Sequence, residues 1–155
     1  MTLTHLLPHL KDEPGVAAVS QAVIAGNRDA TVAVLPASFR PALIAAIVDD
    51  ATRPVLVVTS RADRADTLCT AINEFLPPDR QAALWIGPEA LPYEQLPFDL
   101  ASSADRVALL GTLKSVGDRP PVIVASAHGL MHLVVPPDEF EKYTISVKTG
   151  ARLNI

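Results

Sequence analysis

The chain has 155 residues, 49% hydrophobic and 19% charged, which suits one compact domain with a sizeable core and excludes wholesale disorder. No apolar run approaches the roughly 18 residues a membrane span needs, and the start MTLTHLLPHLKDEPG lacks the basic region and small-residue cleavage site of a secretory signal. The formal net charge is −4, and lysine and arginine are scattered, which disfavours autonomous binding of duplex DNA, where neutralised phosphates supply most of the affinity.

In chain order, the pattern first predicts a helix over residues 16–25 and a strand over 31–35 (TVAVL). A helix over 41–50 follows, with Leu43, Ile44 and Ile47 on one face, and then a strand over 55–59 (VLVVT). The next helix, 61–76, aligns Ala65, Leu68, Ile72 and Phe75 and opens on a capping-box-like Ser60-Arg61-Ala62-Asp63. It holds the single cysteine, Cys69, which cannot support a disulfide framework and fits a reducing cytoplasm. A strand over 83–86 (ALWI) leads to an acidic stretch, 86–105, which contains Glu89, Glu94, Asp99 and Asp105 and no basic residue. A helix over 103–115 carries Val107, Leu110 and Leu113 on one face, with Ser102 three residues before Asp105.

The last predicted pair is a strand over 122–125 (VIVA) and a short helix over 127–134. Pro77-Pro78, Pro120-Pro121 and Pro136-Pro137 fall between elements. The strands are β-branched and nearly continuous, as parallel strands covered on both faces are. Alternation with helices implies right-handed βαβ units and a parallel sheet. The expectation is an α/β fold, a doubly wound parallel sheet of the P-loop (RecA/helicase-like) type. The first domain is expected over residues 1–138. The alternating segment 143–148 (YTISVK) is expected to belong to a second domain, 139–155, that these residues do not complete.

In such a fold the turn after the first strand is where a phosphate-binding loop, G-x-x-x-x-G-K-[ST], would lie. Its glycines let backbone N–H groups curl around phosphate, its lysine reaches the β- and γ-phosphates, and its hydroxyl ligates magnesium. Here Val34 and Phe39 take the glycine positions, Arg40 the lysine position and Pro41 the hydroxyl position. Proline lacks both the hydroxyl and a backbone donor, and a guanidinium does not substitute geometrically for the lysine. No catalytic, cofactor-binding or metal-ligating residue is therefore assigned, and the loop is expected to bind no nucleotide.

The stretch Leu91-Pro92-Tyr93-Glu94-Gln95-Leu96-Pro97-Phe98-Asp99, followed by Ser103-Ala104-Asp105-Arg106-Val107-Ala108-Leu109-Leu110, resembles the "LPY(E/D)…SP…R…L" stretch of bacterial transcription-repair coupling factors. Upstream, Leu35-Pro36-Ala37-Ser38-Phe39-Arg40 is similar to that family's "GLPGSxRA" remnant of a phosphate loop. Downstream, Val122-Ile123-Val124-Ala125-Ser126-Ala127-His128-Gly129-Leu130-Met131 resembles its "VVVxSxxALMQ" strand and helix, and Ile145-Ser146-Val147-Lys148-Thr149-Gly150 resembles the strand that opens its next domain. Departures are Val34 and Ala37 at the remnant's glycines, His132 where arginine is frequent, and Pro97-Phe98 in place of Ser-Pro. The resemblance covers roughly residues 28–155.

The resemblance implies a UvrB-like first domain, without an ATP site or DNA-gripping hairpin. With the domain after it, this module would recruit UvrA to stalled RNA polymerase in nucleotide excision repair. It would also be held against the rest of its parent, an ATP- and magnesium-dependent DNA translocase that meets DNA and polymerase through other domains.

Other residue groups carry less chemistry. His5 and His9, like His128 and His132, have the i,i+4 spacing of metal ligands but no third ligand nearby, and incidental histidines are the expectation. Trp85 reads as a core or strand-end residue. Tyr93 and Phe98 are candidate protein contacts, or anchors of their own loop against the sheet edge. Ser126 sits like a nucleophile but lacks the flanking glycines of that turn, so a helix cap is expected. Two rival functions stay open: a free-standing Rossmann- or P-loop-like enzyme of small molecules, and a damage-binding subunit of the UvrB type.

Overall fold

The computed structural model describes residues 2–25, 34–87, 100–114, 120–145 and 149–150. Two N-terminal helices, α1 (Leu7–Asp12) and α2 (Pro14–Ile24), precede α3 (Arg40–Asp50), β1 (Val55–Thr59) and α4 (Ala62–Phe75). Then come β2 (Ala83–Trp85), α5 (Leu100–Lys114), β3 (Val122–Ser126), and the short helices α6 (Ala127–Leu130) and α7 (Pro137–Lys142). The three strands form one parallel sheet in the order β1-β3-β2, with Val57 opposite Val124 and Leu84 opposite Val124 on the other side. The chain is thus a mixed α/β protein built on a small parallel sheet.

Side-chain alternation decides which face each strand residue serves. Val55 and Val57 join Val122, Val124 and Leu84 on the face packed by α4, in one cluster with Ala65, Cys69 and Ile72. Helix α3 lies beside α4 and under α1 and α2. Its Ala42, Ala45 and Ala46 are buried, and so short a side chain lets helices approach it from several directions. Central β3 is buried along most of its length.

The opposite face is unevenly covered. Trp85, which shares that face with Ala125, is 6% exposed, and the Arg106 guanidinium of α5 lies 4.9 Å from its ring centroid. A right-handed crossover from β1 past β3 to β2, and another back to β3, puts α4 and α5 on opposite faces. Leu56 and Val58 of edge strand β1 are each 52% exposed. Burial on both faces, expected of every strand, therefore holds for β3 and fails for β1.

Several local expectations need correcting. Val34 and Leu35 are not in a strand, and residues 31–33 lie outside the described residues. At the start of α4 the N-cap is Arg61, and no side chain caps the helix. Thr59 Oγ1 donates to the Arg61 carbonyl (2.8 Å) and Arg61 Nε donates to Asp63 Oδ1 (2.9 Å) instead. Helix α6 stops at Leu130 rather than at residue 134, and Met131 and Leu133 beyond it are 80% and 98% exposed. Tyr143, Thr144 and Ile145 form no strand, and residues 146–148 lie outside the described set. No helix among the described residues is long and apolar enough to cross a membrane.

Candidate functional site

The predicted loop is pulled in two directions by its own side chains. A 3-10 turn over Ala37–Phe39, closed by the Phe39 N–H donating to the Pro36 carbonyl at 3.0 Å, leads directly into α3. Phe39 and Leu35 turn toward the helical layer, where with Leu10, Val16, Val19 and Leu43 they line an apolar cavity of about 530 Å³. Arg40 and Pro41 face the other way, into an open cleft of about 810 Å³ at the carboxyl end of β1. Val34 is 95% exposed. Phe39, which the sequence sets at a glycine position of the phosphate loop, is partly buried and packs against the core, where an aromatic ring gains from burial.

The cleft gathers Arg40, Thr59, Ser60, Asp63 and Arg64 around the first turns of α3 and α4. The carboxyl end of a parallel strand flanked by helix N-termini is where α/β folds usually bind ligands. The chemistry on offer is limited. Asp63 is engaged by Arg61, whose hydrogen bond, ahead of its charge, holds the carboxyl below the usual range. A phosphate cradle needs successive N–H groups in alternating right- and left-handed conformations. No described non-glycine residue has a positive φ, and Pro36 and Pro41 contribute no N–H. What remains is two exposed guanidinium groups, two threonines (Thr59 and Thr67) and a serine, with neither a nucleophile–base pair nor a carboxylate pair between them.

A second assembly joins the ends of β2 and β3. Trp85 Nε1 donates to the Gly129 carbonyl at 3.1 Å, and the Gly129 N–H donates to Ser126 Oγ at 3.0 Å. Ser126 is thus the N-cap of α6, as expected from the sequence. Trp85 is the core residue expected, with its indole N–H satisfied. His128 and His132 meet edge to face, ring centroids 5.1 Å apart. Among the described residues, no three His, Cys, Asp or Glu side chains group as a metal would require. Tyr93 and Phe98, with the whole of 88–99, lie outside the described residues.

Sequence reasoning did not anticipate the apolar surface at the carboxyl-terminal end. Leu130, Met131, Leu133, Val134 and Val135 are 41%, 80%, 98%, 46% and 50% exposed, and Tyr143 and Ile145 beyond α7 are 75% and 78% exposed. The signal was the unbroken apolar run LVV after His132, with only Pro136 to end it. No family model matches the chain, and no curated protein or solved structure matches it either.

Proposed function

We propose that this chain is a UvrB-like first domain of a protein of the transcription-repair coupling type, a doubly wound fold of P-loop type ending at about Asp138 and followed by the first residues of a second domain. Its role in this reading is non-catalytic: a cytoplasmic scaffold in transcription-coupled nucleotide excision repair that helps bring UvrA to stalled RNA polymerase, mainly through the following domain. Contact with DNA and polymerase, and ATP and magnesium chemistry, belong to other parts of the parent, against which this module also rests.

The observation that carries the reading is the divided loop. Leu35 and Phe39 are partly buried and pack against the core, and Arg40 and Pro41 start a helix. The exposed Leu130, Met131, Leu133, Val134 and Val135 support it, since apolar side chains clustered at a surface are characteristic of protein contacts. The test is a pull-down with purified UvrA, comparing this chain with one extended through the next domain. The longer chain is expected to bind and this one to bind little. Failure of both to bind sinks the proposal, whereas equal binding by both moves the interface into residues 1–155.

The cleft of about 810 Å³ favours a second reading, a small-molecule enzyme or binding protein using Arg40 and Arg64. A ligand that binds the native state raises its thermal stability by mass action. Melting with ATP and magnesium is expected to leave the midpoint unmoved. A rise that the Arg40→Ala variant abolishes would favour the second reading over the first.

A further inference from the structure

We draw no further inference here: the strongest candidate, the cleft at the carboxyl end of β1 where Arg40 and Arg64 flank the first turns of α3 and α4, belongs to the site already described and holds no buried polar side chain that points to a ligand.

Discussion

Asn73 and Ala82 hold each other by two reciprocal hydrogen bonds. The Asn73 side-chain amide donates to the Ala82 carbonyl at 2.9 Å, and the Ala82 N–H donates to Asn73 Oδ1 at 2.7 Å. The asparagine thus imitates a neighbouring strand for one residue, immediately before β2 begins. It pins the end of α4 to the start of the shortest strand in the sheet.

Replacing Asn73 by alanine removes both bonds and leaves the polar backbone of Ala82, a residue only 6% exposed, without these partners. A net hydrogen bond contributes about 1 kcal/mol, and an orphaned buried group costs about 1–3 kcal/mol. Asn73→Ala is therefore expected to destabilise the chain by about 2 kcal/mol in urea unfolding. Asn73→Asp keeps an acceptor for the Ala82 N–H but sets a carboxylate against the Ala82 carbonyl, and is expected to be no better. Loss below about 0.5 kcal/mol in both variants would show that the bonds are exchanged for water at no net cost.

Two glycines make a sharper steric test. A Cβ on Gly87 would stand 2.6 Å from the Gly129 Cα, a backbone atom that cannot rotate away. A Cβ on Gly129 would meet Ser126 Oγ at 3.2 Å and the Gly87 backbone at 3.3 Å, distances that need a shift of only tenths of an ångström. Gly87→Ala is expected to cost more stability than Gly129→Ala, the former on the order of 1–3 kcal/mol as overpacking does. Gly15→Ala in α2, with nothing within 4 Å, is the control and is expected to stabilise by about 0.4–1 kcal/mol. Equal melting points for the two variants at 87 and 129 would refute the close approach.

How much of this was legible depends on which force fixed each part. The runs VLVVT and VIVA announced β1 and β3 because β-branched continuity is local and strong, and β1 came out at 55–59 as read. Helices α3 and α4 were equally readable from their apolar spacing. Helix α1 was not: at six residues, Leu7–Asp12, it has too little periodicity to register, and it exists because Leu7, 4% exposed, packs into the core. Helix α7 did carry signals, a proline in its first turn, Asp138 and Glu139 beside it and Lys142 at its end. The Pro136-Pro137 pair, which also reads as a candidate domain edge, stands at its start. At the candidate site, residue types set Val34, Phe39, Arg40 and Pro41 at the four fixed positions of a phosphate loop. They did not predict that Phe39 and Arg40 would point into different spaces, because which side of a turn is apolar depends on α1 and α2, far away in sequence.

Charge also ties α1 to the core. The Lys11 ammonium sits 2.6 Å from both Asp49 Oδ2 and Asp50 Oδ1, at the end of α3. Burial alone would lower the lysine's pKa, but the hydrogen bonds and charges of the two carboxylates together outweigh it and raise the value above the ordinary 10.5. A raised pKa means that the folded state holds this proton more tightly, so the stabilisation is present at neutral pH and is lost as pH climbs beyond the ordinary lysine value. A partly exposed pair of this kind contributes at most about 1 kcal/mol. The stability difference between the native chain and Lys11→Met is expected to shrink in 1 M salt, where screening extends to about 3 Å, and again in alkali. A difference that ignores both salt and pH would assign the effect to packing of the lysine's methylenes.

Cys69 is the natural probe of core integrity. Burial, and secondarily the negative charge of Asp66, push its thiol pKa up, and its Sγ lies 3.4 Å from the Ala82 carbonyl. Since the thiolate is the reacting species, a raised pKa and 5% exposure together slow attack on thiol reagents. At pH 8 the folded chain is expected to react with an aromatic disulfide reagent many-fold more slowly than the urea-unfolded chain, and Asn73→Ala to speed the reaction by loosening the same corner. The folded rate is expected to rise with pH, as the thiolate fraction grows. Native labelling as fast as that of the unfolded chain would mean that the α4–β2 corner opens freely, and the reciprocal bonds of Asn73 and Ala82 could not then be the clasp inferred from their geometry.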